Sequence, residues 1–433
     1  MKTLGMLTNG GDTPSLNSVL AAIKKAARME GFDKIWGIEG GYLGLIEGRM
    51  KDITEREIEP AQGGSILYSL RDSPLPLEIP VDPKEKQLWE AKLQGAIKTI
   101  KDKHIDVLVA IGGDGTIAAT KASVPYIHEE TNCKVYAFPR TIDNDIRTFT
   151  SQNFENETIE TAVAPGAPTA MLRIVDLTHR LKTTAETNKR VFTLETMGRD
   201  AGWLALAACY GGAEFVIVPE FDVSSDVENQ LYDLVAEMYR ESQSCVVAVS
   251  EGTKFDGVQL KKTAYGKRKL GGVGDLISLG GPVDDKRTID GIQDALKKRN
   301  VVQISYPNGR QNQEEYRIVR AVDVRCQHGD YYPRMGGPSQ YDMRLSEVLG
   351  DRLRKMLHDG KAEHMPVLAR VVPFEELTVD VTSDVPFSKV EQMLLPVKSY
   401  FNPDRLTANL AFADFMNQII SEQDKKLVFG KAY

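Results

Sequence analysis

The chain has 433 residues and a formal net charge of −7, with 42% hydrophobic and 27% charged residues. That is the balance of an ordinary globular protein, and its length exceeds one hydrophobic core, so two domains or one fold with large insertions are expected. The mild acidity leaves no electrostatic footprint for nucleic acid or a membrane surface, and no apolar run approaches the ~18–20 residues of a spanning helix.

The start, "MKTLGMLTNGG", reads as a strand and a glycine turn, without the order of a signal peptide. The next segment, "SLNSVLAAIKKAARME", is helix-like. "IDVLVAIGG" then leads into "DGTIAATKASVPYIHEE", and "CKVYAF" is a further strand. "KRVFTLETMGRD" leads into "AGWLALAACYGG", and "EFVIVPE" is followed by a helical pattern over 224–240 and by "SCVVAVSEG". Short β-branched strands alternating with helices predict an α/β protein with mostly parallel sheets covered on both faces. From about 254 to 315 the rhythm weakens into a glycine- and lysine-rich insertion that includes a hairpin-like stretch. "MRLSEVLGDRLRKMLHDG" reads as a helix, and "NLAFADFMNQIISEQDKKL" is amphipathic. Cys133, Cys209, Cys245 and Cys326 lie far apart, as free thiols in a reducing cytoplasm would, and the six scattered histidines offer no spacing for a His/Cys metal centre.

Ligands of open parallel sheets bind at the carboxyl ends of strands. "TNGGDTPSLN" (8–17) and "IGGDGT" (111–116) each put glycines and an aspartate at that place, with a helix behind. Such loops are either tight turns or phosphate cradles; glycine lets N–H groups approach phosphate oxygens, and the helix start adds a positive dipole end. An aspartate there repels phosphate unless a cation intervenes, which suggests Mg²⁺ at Asp114. In "PRTIDNDI" (139–146), Asp143 and Asp145 are either helix or turn caps or the carboxylates that phosphoryl transfer to an alcohol requires. Arg190, Arg199, Glu251, Arg325 and Arg334 lie near strand ends; converging guanidinium groups would suit a phosphomonoester.

Taken together, "LTNGGDTPSLN", "GGYLGL", "GGSILYSLR", "AIGGDGT", "PRTIDNDI", "ETMGRDAGWLAL", "EFVIVPE", "VVAVSEGT" and "YYPRMGGPSQYD" run in one order from residue 5 to about 342. This set resembles the phosphofructokinase family, which phosphorylates the 1-hydroxyl of fructose 6-phosphate. The resemblance implies two Rossmann-like domains with the active site in the cleft between them. The donor domain is expected over 1–153 plus about 333–395, and the sugar-phosphate domain over 154–332 plus about 396–433. It further implies that Gly11, Arg71, Asp72, Gly113, Asp114, Gly115 and Thr116 hold the donor, with Arg71 also steadying the transferred phosphoryl group. Asp143 would be the base at the sugar hydroxyl, beside Thr141 and Ile142. Asp114 and Asp145 would serve Mg²⁺. Met197, Gly198, Arg199 and Glu251 would line the sugar site. Arg334 would bind the 6-phosphate, with Tyr331 standing where many members carry histidine. Arg190 and Arg325 match arginines that reach a neighbouring subunit's site, implying a homo-oligomer, dimer or tetramer, in the cytoplasm.

The family uses ATP or pyrophosphate. Pyrophosphate-dependent members carry aspartate at position 115, where a carboxylate would repel a nucleotide's α-phosphate, so Gly115 favours ATP. Arg140 matches neither usual occupant of its position, glycine or lysine. Pro14–Ser15 replaces the usual proline–glycine, Leu70 replaces a smaller residue, "RMGGP" shifts the final glycine segment, and Ala21 stands where bacterial members carry an effector arginine. The competing expectations are a pyrophosphate-dependent enzyme, a kinase of another ketose phosphate such as sedoheptulose 7-phosphate, and a non-catalytic sugar-phosphate sensor. The retained Asp143, Asp114, Arg71 and Arg199 weigh against the sensor.

Overall fold

The computed structural model describes residues 1–70, 75, 79–148, 163–254, 285–305, 318–392 and 400–429. The chain divides into two compact units. One comprises Met1–Ala170, Arg334–Met393 and Asn417–Asp424; the other comprises Met171–Pro333, Leu394–Met416 and Lys425–Tyr433.

The first unit opens with β1 (Thr3–Thr8), α1 (Leu16–Met29), β2 (Lys34–Ile38), α2 (Gly41–Glu47), β3 (Met50–Asp52), α3 (Pro83–Asp102), β4 (Val107–Gly112), α4 (Asp114–Glu130), β5 (Lys134–Pro139) and β6 (Ile146–Thr148). Its sheet runs β3-β2-β1-β4-β5; β2, β1, β4 and β5 are parallel and β3 is antiparallel to β2. Every residue of β1 and β4 is buried, which is why these strands read as unbroken apolar runs. Helix α3 buries Trp89, Leu93, Ala96, Ile97 and Ile100, the three-to-four spacing of one helical face. Burying each large apolar side chain contributes ~1.5–3 kcal/mol, so this shared core sets the strand register.

The second unit begins within α5 (Ala167–Asn188) and continues with β7 (Arg190–Thr196), α6 (Trp203–Tyr210), β8 (Phe215–Ile217), α7 (Ser225–Ser242), β9 (Cys245–Ser250), α8 (Asp285–Lys298), β10 (Gln303–Ser305), β11 (Ile318–Arg320) and β12 (Asp323–His328). Its sheet, β12-β7-β9-β8, is parallel throughout. Ser224 caps α7, its hydroxyl accepting from the Val227 N–H, as the sequence predicts. The expected hairpin is present as the antiparallel β10–β11 pair; its turn and most of the glycine-rich insertion lie outside the described residues.

The chain returns to the first unit with α9 (Gln340–Asp359), β13 (His364–Leu368), β14 (Thr382–Pro386) and β15 (Val390–Gln392). Helix α9 packs on α1 so closely that a Cβ on Gly350 would stand 2.8 Å from the Ala22 Cβ. After β16 (Phe401–Asn402) and β17 (Thr407–Ala408), the amphipathic C-terminal stretch forms two helices, α10 (Leu410–Ile419) and α11 (Glu422–Phe429). Ser421 breaks them: its hydroxyl accepts the Asp424 N–H and donates to the Asp424 carboxylate, a cap in mid-pattern. In the second unit Trp203 packs among Tyr400, Phe412 and Phe415. Among the described residues no helix is long and apolar enough to cross a membrane.

Candidate active site

In the first unit the sheet order reverses between β1 and β4, the switch point where doubly wound sheets bind ligands. Both predicted glycine loops start there. After β1 the Asn9 N–H donates to Ile111 O at 3.0 Å, and the chain turns at Gly10 with φ +94°. After β4, Gly113 leads in extended backbone into α4, with Asp114 in its first turn. Thr116 Oγ1 donates to Asn9 O at 3.2 Å and so ties the two loops together; a Cβ on Gly112 would collide with that threonine. Leu70 joins the set through its carbonyl, which takes the Gly10 N–H at 2.9 Å. Arg71 and Asp72 lie outside the described residues.

Two arginines hold the carbonyl side of the first loop. Arg140, 2% exposed, donates from Nη2 to Asn9 O at 2.7 Å and from Nη1 to Gly11 O. Arg334 donates from Nη1 to Asp12 O at 2.6 Å and lies against Gly11, where a Cβ would meet Nη1 at 2.7 Å. Burial and the neighbouring Arg334 pull the Arg140 guanidinium down to about 9, which leaves it charged at neutral pH. The carbonyls of Asn9, Gly11 and Asp12 thus each accept from an arginine.

The 140–145 loop is equally constrained. Arg140 N donates to Gly112 O at 2.9 Å, and Thr141 N to Pro165 O at 3.1 Å. Thr141 Oγ1 accepts the Asp143 N–H at 3.1 Å and donates to Asp145 Oδ1 at 2.8 Å. Asn144 sits at φ +50°, and its Oδ1 accepts the Ala164 N–H at 3.3 Å. Ile142 and Asp145 are buried, while Asp143 is half-buried. The start of α5 closes over Thr141: Gly166, at φ +104°, leaves 2.7 Å between a would-be Cβ and Thr141 O. Asp342 fixes that start, taking Gly166 N at 2.8 Å, Thr169 N at 2.9 Å and the Thr169 hydroxyl.

Burial, together with the charges of Asp143 and Asp114, holds the Asp145 carboxyl well above the usual carboxylate range. Three acids therefore share one electrostatic environment that a divalent cation would relieve. Among the described residues no group of three or more His, Cys, Asp or Glu forms a protein-only metal cage. Mg²⁺ does not need one: it is commonly held by one or two carboxylates and by substrate phosphates. The residues present fit Mg²⁺ with Asp114 and Asp145 as its carboxylates.

In the second unit the loops after β7 and β9 meet. Gly198 N donates to Glu251 Oε1 at 3.3 Å, Glu251 N to Thr196 O at 2.9 Å, and the Ser250 hydroxyl to Gly198 O. A Cβ on Gly252 would collide with Arg199 O, so the two loops require glycine there. Met197 is buried, and Arg199 is exposed, its Nε donating to Asp200 at 2.7 Å. Tyr331 is 49% exposed. Arg190 and Arg325 sit elsewhere, at the amino ends of β7 and β12. With about 3.3 Å per residue, the strand from Arg190 to Thr196, just before Met197, spans roughly 20 Å. Arg190 and Arg325 are thus together, but apart from Met197, Gly198, Arg199 and Glu251.

Asn9, Asp323 and Asp342 were not singled out from the sequence. Asp323 carried a faint signal in its position two residues before Arg325, which places both on one face of a strand. Asp342 carried another, as the fourth residue after Pro338 at the head of a long helix.

The mostly parallel sheets and the glycine loops joined at the switch point define an α/β protein of the doubly wound class. The family model described as Phosphofructokinase matches residues 3–357, and the chain belongs to that family. It is 28% identical over 393 residues to a pyrophosphate–fructose 6-phosphate 1-phosphotransferase of Dictyoglomus thermophilum, covering 88% of this chain and 92% of the relative. It is 33% identical over 290 residues to an ATP-dependent 6-phosphofructokinase of Clostridioides difficile, covering 63% and 80%. The solved structure of a pyrophosphate-dependent phosphofructokinase from Nitrosospira multiformis matches with a TM-score of 0.70 at 17% identity, covering 97% of this chain and 92% of the other, a likeness of fold.

Proposed function

We propose that the chain transfers the γ-phosphoryl group of Mg-ATP to the 1-hydroxyl of fructose 6-phosphate, giving fructose 1,6-bisphosphate. The observation that carries this reading is the loop around Asp143. Thr141 and Asp145 are hydrogen-bonded to each other, and Asp143 between them is half-buried. A carboxylate so placed accepts the proton of the attacking hydroxyl. Gly11, Gly113, Gly115 and Thr116 would hold the donor from the loop side, with Arg71 and Asp72 completing that contact. Asp114 and Asp145 would hold Mg²⁺, which supplies charge neutralisation at the donor phosphates.

The acceptor would be recognised by Thr141, Ile142, Met197, Gly198, Arg199, Glu251, Tyr331 and Arg334. Arg334 reaches the backbone of Asp12, so its guanidinium relates 6-phosphate recognition to the donor loop. Arg190 and Arg325 would serve the sugar phosphate in a neighbouring copy of the chain. Their distance along β7 from Met197 supports that assignment and, with it, a homo-oligomer.

Gly115 supports ATP as donor, since it leaves the space of the α-phosphate without a carboxylate. Arg140 supports it too: its terminal nitrogens are engaged by the carbonyls of Asn9 and Gly11 rather than offered to a phosphate. A second reading, pyrophosphate as donor, is favoured by the Dictyoglomus relative, whose similarity spans 88% of this chain. A coupled assay with fructose 6-phosphate and each donor in turn separates the two.

A further inference from the structure

Asp323 and Arg190 are direct partners across the parallel β12–β7 ladder, and Arg325 follows Asp323 by two residues on the same face. The Asp323 carboxylate divides between the two arginines. Oδ2 accepts Arg190 Nε at 2.6 Å, and Oδ1 forms an ion pair with Arg325 Nε at 2.8 Å. Each guanidinium thus turns its inner edge to one shared carboxylate. Among the described residues neither uses its terminal Nη groups, which leaves two forks side by side with a net positive charge.

We propose that Asp323 is a positioning residue for sugar-phosphate recognition, holding Arg190 and Arg325 as one preformed anion-binding pair. The proposal rests on the reading that these two arginines bind the sugar phosphate.

The surroundings favour a positioning role. The three side chains are 28–60% exposed, where ion pairs add little to stability. A carboxylate kept there for stability alone would have small effect. Two adjacent guanidinium groups repel each other, however, and each arginine loses rotamer freedom when it engages a ligand. A carboxylate between them removes the repulsion and fixes both side chains before the phosphate arrives. The backbone beneath is anchored on both strands. Tyr239 Oη donates to Lys189 O at 2.8 Å, and Gln293 Nε2 donates to Val322 O at 3.3 Å.

The test is steady-state kinetics of the full-length protein with fructose 6-phosphate and the donor that supports turnover, on Asp323→Asn, Asp323→Glu, Arg190→Ala and Arg325→Ala. Asp323→Asn should raise KM for fructose 6-phosphate by about tenfold while kcat and donor KM stay within about twofold. Asp323→Glu should recover most of that loss. Adding Asp323→Asn to Arg190→Ala should raise KM little further, because the pair is already broken. Melting midpoint and oligomeric size should be unchanged, which shows that the variants fold. An unchanged KM in Asp323→Asn, with KM raised in both arginine variants, overturns the positioning role alone. An unchanged KM in the arginine variants overturns the arginine reading and the proposal with it. An equal fall in kcat with both substrates assigns Asp323 to the fold.

Discussion

Arg140 Nη2 lies 2.7 Å from the carbonyl oxygen of Asn9. The guanidinium that stands out in the sequence is therefore a buried strut of the first glycine loop, engaged by Asn9 and Gly11. A lysine offers one compact ammonium and cannot reproduce a planar fork across two carbonyls. Arg140→Lys should lower the melting temperature and raise KM for the donor more than for the sugar. Removing the side chain in Arg140→Gly should cost on the order of 3 kcal/mol, because the Asn9 and Gly11 carbonyls lose charged donors. A variant that changes donor preference with no loss of stability would assign Arg140 directly to the donor.

Asp143 is the proposed base. Asp143→Ser should lower kcat by roughly 10²–10⁴-fold with a small change in KM for fructose 6-phosphate. Initial-rate measurements on both proteins decide this, and near-wild-type kcat would remove Asp143 from the chemistry.

Asp342 predicts a pH effect on stability. Burial pushes its carboxyl up to about 6, against the pull of the Gly166 and Thr169 donors. A carboxyl raised above its unfolded value stabilises the fold fully below pH ~4, and the contribution is lost as pH rises through about 6. The loss is on the order of 2–3 kcal/mol for a shift of about two units. Asp145 is shifted in the same direction, so the comparison must be made against Asp342→Asn, which keeps Asp145. Between pH 4 and 7 the stability gap between wild type and Asp342→Asn, followed by urea unfolding, should shift in the variant's favour. A constant gap would show that Asp342 does not titrate in this range.

The four thiols should differ in reactivity. Burial pushes Cys133 and Cys245 up to about 12 and raises Cys209 as well. Cys326 is half-buried, with Sγ 3.8 Å from His328 Nε2, and His328 Nδ1 pairs with Glu195 at 3.2 Å. Iodoacetamide at neutral pH, followed by peptide mapping, should label Cys326 first, since the thiolate is the nucleophile. Equal labelling of all four would contradict this.

Most of the parallel strands were legible because β1, β4, β5, β7 and β9 are buried along nearly their whole length and read as continuous apolar runs before a turn. β12 was not: "DVRCQH" is an edge strand with Asp323, Arg325 and Gln327 on one face and few apolar residues on the other, and its pattern resembles a loop. The β13–β14 pair was missed for a related reason, since Pro366 interrupts one strand and Pro386 ends the other. In the candidate site, the glycine loops and the aspartates around 143 were visible as motifs. The supporting contacts were not. Asp342 reaches Gly166 across 176 positions and Arg334 reaches Asp12 across 322, and no local pattern encodes such pairs.

ATP-dependent phosphorylation of fructose 6-phosphate is the proposed reaction. Its most direct measurement is kcat/KM for the two donors, ATP and pyrophosphate, on one purified preparation with fructose 6-phosphate and Mg²⁺, with bisphosphate formation followed by a coupled assay. Turnover with ATP at least about a hundredfold above that with pyrophosphate is the expected result, a difference of roughly 2.7 kcal/mol in transition-state stabilisation. Turnover with pyrophosphate and none with ATP would contradict it.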